Sequence, residues 1–402
     1  MAELLEAELR ALLDRLESAS PALRARDPDE IADSVARAWE SIANPELALG
    51  RAARSELPRS TGLSLPMVAW ALDATLTGAG EAIREAARRM RPPAGAIAAP
   101  PRLSVLVLAG NVFTACVQPW SLALLSRAPL LVKASSSDDV LPRLFHAALA
   151  EVDPELADAC AVVTFPGGTP ALEATMLSRA DVVSVYGSDA TIASIRARLG
   201  AGATLIAHGH GVGAGYVPRE ALADEESARR AADAFALDVA AYDQRGCMSP
   251  HVIWIERGAP VRGLELARML ARSLERLAEE LPRGALSTEA GAAQLQWRGV
   301  SAAHGVLIEG DGWAVSYEGE SPLRISPGHR NVLVLDVEDD AALARAVAPL
   351  GVHLKCLGVA ADRDRREAVA RALPAPLAPR VCEAGAMQRP SLLALADGRP
   401  PW

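Results

Sequence analysis

Residues 240–255 read AAYDQRGCMSPHVIWI, and the character of the chain changes twice within this stretch. Apolar periodicity predicts a helix that ends near Tyr242, then a turn through Arg245-Gly246, then a β-strand that begins at His251. Cys247 therefore lies in a short connection where two rigid elements hold a reacting group in place. Backbone N–H groups in such a loop favour the reactive thiolate, while a small buried side chain at a strand start is the alternative interpretation.

Upstream of this stretch, short β-branched apolar runs alternate with helical patterns. The runs predict strands at Leu103–Leu108, Pro129–Lys133, Cys160–Phe165, Asp181–Tyr186 and Thr204–Ala207. The periodic segments between them predict helices at Val117–Ser126, Asp138–Val152, Pro170–Arg179 and Asp189–Leu199. This alternation with short loops predicts a parallel, doubly wound α/β sheet whose strands are buried on both faces.

Polar and glycine residues follow these strands where each one ends. They are Gly110-Asn111, Lys133-Ala134-Ser135-Ser136, Gly167-Gly168-Thr169, Gly187-Ser188 and Gly209-His210-Gly211. Ligands of such sheets bind beyond the carboxyl ends of the strands, although no G-x-G-x-x-G motif follows the first strand. Gly187-Ser188 opens a helix whose N–H groups suit a phosphate, or it forms an ordinary turn and cap.

The same α/β texture continues downstream, and a helical region precedes it. Downstream strands are predicted at His251–Ile255, Trp313–Tyr317, Asn331–Val337 and Val352–Val359. Downstream helices are predicted at Glu225–Tyr242, Val261–Leu281, Asp339–Ala348 and Asp362–Leu373. Upstream, helices are predicted around the leucine stripe from Leu5 to Leu16 and at Ile31–Ile42, Pro66–Leu76 and Glu81–Met90. The Pro/Gly/Ala stretch from Arg91 to Pro101 is the clearest linker.

Composition restricts the class of protein. The chain has 402 residues, of which 50% are hydrophobic, so it is long enough for one large core or two medium ones. Its net charge of −9 argues against a nucleic-acid partner. Only Lys133 and Lys355 are lysines; nearly all other cations are arginines. The uncharged run from Leu103 to Ser126 contains Gly110-Asn111 and Pro119, so we expect soluble core and no membrane span.

The cysteines indicate the compartment. The five of them, Cys116, Cys160, Cys247, Cys356 and Cys382, lie far apart and form neither a C-x-x-C pair nor a metal-ligand spacing. We therefore expect no metal and no disulfide framework, which fits a reducing cytoplasm. The acidic start of the chain, MAELLE, lacks the basic region of a signal peptide.

Taken in order, Asn111, Lys133, Gly187-Ser188 and Cys247 resemble the pattern of the aldehyde dehydrogenase superfamily. More narrowly, YDQRGCMSP at 242–250 resembles the LuxC-type acyl-CoA reductases, which reduce fatty acyl thioesters to aldehydes. The other matching segments are Thr61-Gly62, Pro66-Met67, HLKCLGV at 353–359, Arg380-Val381, Gly385, Met387-Gln388 and Asp397-Gly398. The resemblance covers most of the chain, and the cysteine motif is its most specific part.

The resemblance implies an aldehyde-dehydrogenase-like fold of two doubly wound α/β domains with an N-terminal helical segment. The expected divisions are a helical segment at 1–97, a dinucleotide-binding domain at 98–224, a catalytic domain at 225–384 and an irregular tail at 385–402. It also implies that the protein associates as a homo-oligomer.

The resemblance further implies the chemistry. The Cys247 thiolate would attack the carbonyl of an acyl-CoA or other acyl thioester, while the Cys247 N–H and the Asn111 amide hold the oxyanion. Hydride from NADPH, with NADH possible, would then reduce the acyl-enzyme to an aldehyde. The implied cofactor-binding residues are Lys133, Ser135, Ser136, Gly168, Gly187 and Ser188. Of these, Lys133 would bind the adenosine ribose and Gly187-Ser188 the pyrophosphate.

Three departures from the superfamily pattern are informative. Hydrolytic members carry a Glu-Leu-Gly-Gly stretch whose carboxylate activates water, but this chain has AHGH at 207–210. Ser136 stands where NAD-preferring members often have an acid, which leaves room for a 2′-phosphate and favours NADPH. No acid for the nicotinamide ribose is evident in ISPGHR at 325–330.

An alternative function uses the same thiol without a redox cofactor. Cys247 paired with His208, His210 or His251 would make a thiol acyltransferase or thioesterase. Each histidine also fits a hydrogen-bonded structural role, and Asn111 and Lys133 would then share no purpose. A protein that only binds its ligand is a third class, which an intact Cys247 and Asn111 argue against.

The substrate that the resemblance implies is a long-chain fatty acyl thioester, and the aliphatic composition leaves the acyl length open.

Overall fold

The computed structural model describes residues 4–91, 100–375 and 377–394. These residues form two compact units, one running to His210 and including Ser391–Ala394, the other spanning Gly211–Pro390. Residues 92–99 of the predicted linker and residues 395–402 of the predicted tail, with Asp397-Gly398, lie outside the described residues. The predicted divisions at 97/98, 224/225 and 384/385 stay predictions about functional domains.

Five helices open the first unit. They are α1 (Glu6–Ala25), α2 (Pro28–Ala43), α3 (Ala48–Thr61), α4 (Leu65–Leu76) and α5 (Ala79–Met90). Capping side chains explain where two of these helices begin. Asp27 accepts the N–H of Asp29 before α2, and Ser64 accepts the N–H of Met67 before α4. The sequence prediction missed α3, because its buried face carries only Gly50, Ala53 and Leu57, which is too small a stripe to show as periodicity.

A five-stranded parallel sheet follows in the same unit. Its strands are β1 (Ser104–Val107), β2 (Leu130–Ala134), β3 (Cys160–Thr164), β4 (Val182–Tyr186) and β5 (Thr204–His208), in the order β3-β2-β1-β4-β5. The helices between them are α6 (Val117–Leu125), α7 (Val140–Val152), α8 (Pro154–Asp158), α9 (Pro170–Leu177) and α10 (Asp189–Arg196). Strand order reverses beside β1, which pairs with β2 on one side and β4 on the other. The switch point therefore lies between β1 and β4.

The second unit contains a seven-stranded sheet in the order β12-β11-β6-β7-β10-β9-β8. Its strands are β6 (Val212–Val217), β7 (Pro250–Glu256), β8 (Val306–Gly310), β9 (Trp313–Tyr317), β10 (Asn331–Val337), β11 (Leu354–Val359) and β12 (Arg380–Glu383). Its helices are α11 (Glu225–Ala240), α12 (Gly263–Glu280), α13 (Thr288–His304), α14 (Asp340–Val347) and α15 (Arg363–Ala372). All neighbouring strands are parallel except β8 and β9, which are antiparallel.

Separate apolar clusters cover the two faces of the second sheet. Phe235 of α11 packs with Ile253 and Val334 on one face, whereas Trp254 and Leu333 belong to the cluster on the other. Alternate residues of one strand thus point to opposite cores, as expected for a sheet covered on both sides. The predicted N-terminal helices and two α/β units are confirmed. Among the described residues, none of the helices carries an apolar stretch long enough to span a bilayer.

Candidate functional site

The carboxyl edge of the first sheet gathers the predicted residues of that unit. Lys133 lies near the end of β2 and is 7% exposed, with its ammonium 4.7 Å from the centroid of the Phe165 ring. Burial lowers the pKa of the Lys133 ammonium, and the nearby Glu173 carboxylate opposes that shift. A cation held over an aromatic face at the end of a strand is a fixed donor for an oxygen-rich ligand.

The turn after β1 packs directly against the segment after β2. A Cβ atom at Gly110 would lie 2.8 Å from Ser135 Oγ and 2.5 Å from Ser137 Oγ, so a side chain there would displace these hydroxyls. Ser135 Oγ lies 2.9 Å from Ser137 Oγ, and Ser136 donates to the Phe165 carbonyl at 3.4 Å. The ends of β1, β2 and β3 are thus connected by short polar contacts.

Two further loops complete this edge. Gly168 follows β3 in the left-handed region, with φ of 80°, and its N–H donates to Glu173 Oε1 at 2.7 Å. Gly187 follows β4, and Ser188 caps α10 by accepting the N–H of Thr191 at 3.2 Å. The cap interpretation of Gly187-Ser188 is therefore realised, and the start of α10 also stands beside the switch point.

Asn111 lies exposed in the turn between β1 and the 3-10 helix Phe113–Cys116. The structure thus brings Asn111 and the six predicted cofactor residues to one edge of the first unit. Cys247 belongs to the second unit.

Cys247 differs from the other cysteines in exposure. Of the five, all within the described residues, it is the one that is exposed. Burial raises the pKa of the Cys160 thiol to about 12 and also raises those of the Cys116 and Cys356 thiols. Those three thiols stay protonated at neutral pH. The hydrogen bond with Cys356 lowers the pKa of the Cys382 thiol, but Cys382 is only partly exposed, so Cys247 is the most accessible candidate nucleophile.

The backbone just before Cys247 has an unusual conformation. The helix ends at Ala240, and Tyr242, Asp243 and Gln244 all adopt positive φ, at 53°, 52° and 60°. A left-handed residue other than glycine costs about 1–2 kcal/mol, so three in succession require support from their surroundings. The sequence predicted a helix to about Tyr242 and a turn at Arg245-Gly246; in the structure the helix ends two residues earlier and the left-handed backbone precedes the predicted turn.

That support comes from a buried polar network. The Gln244 amide donates to the carbonyls of Pro250 at 2.7 Å and Asn331 at 2.8 Å, and its oxygen accepts the Asn331 N–H at 2.9 Å. Arg330 donates to Asp243 Oδ1 at 2.8 Å, and both side chains are 2% exposed or less. The loop that presents Cys247 is therefore fixed to the start of β10.

The histidines of the alternative function have separate positions. His251 of β7 places Nδ1 2.9 Å from both the carbonyl and the hydroxyl oxygen of Ser326. His208 stacks on Tyr186 with ring centroids 4.2 Å apart, and it belongs with His210 to the first unit. Each of His208 and His251 thus has a structural contact of its own.

Asp243 and Gln244 belong to the cysteine motif but had no predicted role. Residues 325–330 stood out in the sequence only for lacking a carboxylate, so Arg330 had no predicted role either, and the same holds for Asn331. The signal available in the sequence was Gly328 and Asn331, which flank two polar residues just before a buried strand.

Within the described part of the chain, no group of three or more His, Cys, Asp or Glu side chains is arranged to hold a metal ion.

A sequence model of the family described as acyl-CoA reductase (LuxC) matches residues 29–398. A comparison with curated proteins found no match. Solved aldehyde dehydrogenases are similar in structure over nearly the whole chain. Aldehyde dehydrogenase 21 from Physcomitrella patens, in complex with the reaction product succinate, has a TM-score of 0.76 at 14% identity, covering 98% of this chain and 86% of that one.

Two further structures give the same result. The indole-3-acetaldehyde dehydrogenase AldA from P. syringae, a mutant in complex with NAD+ and IAA, has a TM-score of 0.73 at 16% identity, covering 96% of this chain and 82% of that one. An NAD-dependent benzaldehyde dehydrogenase from Corynebacterium glutamicum has a TM-score of 0.70 at 16% identity, covering 96% and 88%. The predicted aldehyde-dehydrogenase-like fold is confirmed.

Proposed function

The chain belongs to the acyl-CoA reductase (LuxC) family, and from this premise we propose that it reduces a fatty acyl-CoA to the aldehyde through an acyl-enzyme on Cys247. The observation that carries the proposal is the exposed Cys247 thiol on a braced loop, in a chain whose three buried thiols are held protonated. The earlier resemblance to this family is confirmed, and the activity with a long-chain substrate is the step proposed here.

The chemistry follows from a thiolate nucleophile. The Cys247 sulfur bonds to the thioester carbonyl carbon, the bond from that carbon to the carrier sulfur breaks, and the carrier leaves as a thiolate. The Cys247 N–H and the Asn111 carboxamide are the proposed donors to the developing oxyanion; one such donor is typically worth about 3–4 kcal/mol. No carboxylate stands in AHGH at 207–210 to activate water, which supports aldehyde formation over release of the acid.

A nicotinamide cofactor fits the carboxyl edge of the first sheet. The edge offers a buried ammonium, serine hydroxyls and the Gly168 loop, which suit ribose and phosphate oxygens. Lys133, Ser135, Ser136, Gly168, Gly187 and Ser188 are the residues proposed to hold it. When bound, the cofactor supplies the hydride that converts the acyl-enzyme to the aldehyde and returns Cys247 to the thiol.

NADPH is proposed over NADH because of the groups after β2. Ser136 is exposed, whereas the nearby Asp138 carboxylate is buried and accepts a hydrogen bond from Ser60 at 3.0 Å. Burial also raises the pKa of the Asp138 carboxyl, which is buried against Ser60 whereas Ser136 is exposed. NADH remains the alternative cofactor for the same edge.

We also propose a cytoplasmic homo-oligomer. No disulfide joins any of the five cysteines, which fits a reducing compartment. Leu295 of α13 is 74% exposed and Val306 of the edge strand β8 is 41% exposed, and such exposed apolar side chains support association through the second unit. Light scattering on the purified protein, compared with a Leu295→Glu variant, tests the association.

The function is tested by incubating the purified protein with NADPH and acyl-CoAs of graded chain length. We expect aldehyde formation with matching NADPH oxidation and CoA release, highest with long chains, and none with Cys247→Ala. Cys382→Ala is the matched control, because that thiol is partly buried and takes no part in the proposal. Normal aldehyde formation by Cys247→Ala would contradict the proposal. Acid and CoA released without NADPH oxidation would instead indicate a thioesterase.

A further inference from the structure

Left-handed backbone is concentrated in two facing segments of the second unit. The first is residues 242–244 before Cys247, and the second is residues 328–330, where φ is 74°, 53° and 66°. Among the described residues, Arg127 is the one other non-glycine residue with positive φ. A conformation that side chains disfavour is kept in a fold when the surrounding contacts determine it, and such residues cluster at functional sites.

The two segments are fixed to each other by backbone-directed hydrogen bonds. Gln244 bonds both the N–H and the carbonyl of Asn331, and these two residues are 87 positions apart in the chain. The Asn331 amide in turn donates to the carbonyls of Gly328 at 2.7 Å and His329 at 3.1 Å. Arg298 of α13 donates to Asn331 Oδ1 at 2.9 Å, so the amide of Asn331 is held from both sides.

The two segments are also in close contact. A Cβ atom at Gly328 would lie 3.3 Å from the Gln244 carbonyl oxygen and 3.8 Å from His251 Cε1. The second segment therefore touches the first through backbone as well as side chains. A change of conformation in either segment would therefore disturb its contacts with the other.

A buried ion pair connects the same two segments. Arg330 donates to Asp243 Oδ1 through Nη2 at 2.8 Å and Nε at 3.1 Å. The other oxygen, Oδ2, accepts the Gly284 N–H at 2.9 Å and lies 3.3 Å from Arg245 Nη2. Loss of one member would leave a buried charge uncompensated, so the pair acts as a unit.

We propose that Asp243, Gln244 and Arg330 are positioning residues, which hold the left-handed turn before Cys247 in the one geometry that presents its thiol for attack. This inference rests on the proposed function, because it takes Cys247 as the nucleophile. It also gives a role to residues 325–330, where the acid expected for the nicotinamide ribose is absent. In this chain the segment braces the nucleophile loop.

The first test measures the Cys247 thiol directly, with no cofactor or thioester present. Iodoacetamide alkylation of Cys247, followed by mass spectrometry of its peptide, is compared in wild type, Gln244→Ala, Asp243→Asn and Arg330→Gln across pH. We expect the alkylation rate and its pH profile to change, and kcat to fall by about a hundredfold with a smaller change in KM. Arg330→Lys keeps one charged donor and should recover part of both readouts. Folded variants with wild-type alkylation and kcat would overturn the inference.

A second test addresses the backbone conformation with a matched pair at one position. His329→Gly and His329→Ala both remove the imidazole, but only glycine adopts the left-handed region freely. We expect the glycine variant to keep a Cys247 alkylation rate close to that of wild type, and the alanine variant to lose it by about tenfold. Equal rates in the two variants would show that the left-handed segment does not set the position of Cys247.

Tyr216→Phe is the control for a merely structural effect. The Tyr216 hydroxyl bonds Glu256 at 3.1 Å and Asp340 at 2.7 Å, in a polar network at the opposite end of β7. This variant should lower stability and leave Cys247 alkylation unchanged. If alkylation changes as much in Tyr216→Phe as in the Gln244, Asp243 and Arg330 variants, the network at 242–244 has only a structural role. If Cys247→Ala keeps aldehyde formation, the proposed function fails, while the alkylation results still show whether the network positions Cys247.

Discussion

The Lys133 ammonium lies 4.7 Å from the centroid of the Phe165 ring, which joins the end of β2 to the residue that follows β3. Burial disfavours the charged form of this ammonium, and the ring face returns part of the lost stabilisation. The aromatic ring thus holds a cation in place at the edge where the cofactor is proposed to bind.

Phe165→Leu should therefore weaken NADPH binding while the strand stays in place. A cation–π contact is worth about 0.5–2 kcal/mol, so we expect the Kd for NADPH to rise by about 2- to 30-fold. Lys133→Met removes the donor itself and should have the larger effect. Fluorescence titration with NADPH measures both variants, and an unchanged Kd in both would remove Lys133 from the cofactor site.

Ser136→Asp tests the choice of cofactor. A carboxylate at this exposed position after β2 would repel a 2′-phosphate, and two like charges at 4 Å interact by about 1–4 kcal/mol near a surface. We expect kcat/KM for NADPH to fall by at least about fivefold while the value for NADH changes little. NADH serves as the matched control in the same protein, and an equal loss with both cofactors would count against the proposed position of the phosphate.

Asn111→Ala tests the proposed oxyanion donor separately from the nucleophile. Removal of one such donor typically lowers kcat by about 100- to 1000-fold, because the contact forms as charge develops on the carbonyl oxygen. Cys247 alkylation by iodoacetamide, which forms no oxyanion, should stay at the wild-type rate. Steady-state kinetics and alkylation together check this; a kcat near that of wild type would exclude Asn111 from the chemistry.

Gly213→Ala should disturb the segment that carries Cys247. A Cβ atom at Gly213 in β6 would lie 2.1 Å from the Met248 carbonyl oxygen and 2.8 Å from Met387 Cε. Overpacking against backbone typically costs about 1–3 kcal/mol, so we expect a lower free energy of unfolding and a changed alkylation rate at Cys247. Gly299→Ala in α13 is the control, because nothing lies within 4 Å of its Cβ position and alanine favours a helix. Equal stability of the two variants would contradict the packing shown by the structure.

The same glycines explain what the sequence could not predict. Apolar runs such as Leu130–Ala134 predict a buried strand directly. The segment VGAGYV at 212–217 does not, because its glycines are required by close contacts with Met248 and Phe235, which lie far along the chain. Helix α13 was missed for a related reason: its buried face consists of Gln294, Trp297 and Ser301, which do not form an apolar stripe. The position of Cys247 between helix and strand was predictable, because both elements have local patterns.

The conformation of its loop was not predictable from local pattern. Three successive left-handed residues contradict the preferences of Tyr242, Asp243 and Gln244, and contacts with residues far along the chain determine them. Tertiary contacts override local preference most strongly where polar groups are buried in pairs, as Asp243 and Arg330 are. The cofactor edge was easier to predict, because the carboxyl ends of parallel strands always meet at one edge.

Asp238 gives the stability of the second unit a dependence on pH. Its carboxylate is 1% exposed and accepts the N–H groups of Gly385 at 2.6 Å and Met387 at 2.9 Å. Burial raises the pKa of Asp238 from 3.8 to about 7, against the opposing effect of those two donors and of Arg380. Because the folded-state pKa exceeds the unfolded one, the group contributes most stability below about pH 4, and that contribution is lost as the pH rises through about 7.

Asp238→Asn should therefore flatten the pH dependence of unfolding between about pH 4 and 7, since the amide does not ionise. Each pKa unit corresponds to about 1.4 kcal/mol, so wild type should lose a few kcal/mol of stability across this range that the variant does not lose. The variant should be the less stable protein at low pH, because its NH2 group cannot accept the second backbone N–H. Urea unfolding at a series of pH values measures it. Asp233→Asn on the neighbouring turn of α11 is the control, because that carboxylate is 46% exposed in its ion pair with Arg276. Parallel pH curves for wild type and Asp238→Asn would mean that Asp238 stays ionised in the folded protein, with the Gly385 and Met387 donors outweighing its burial.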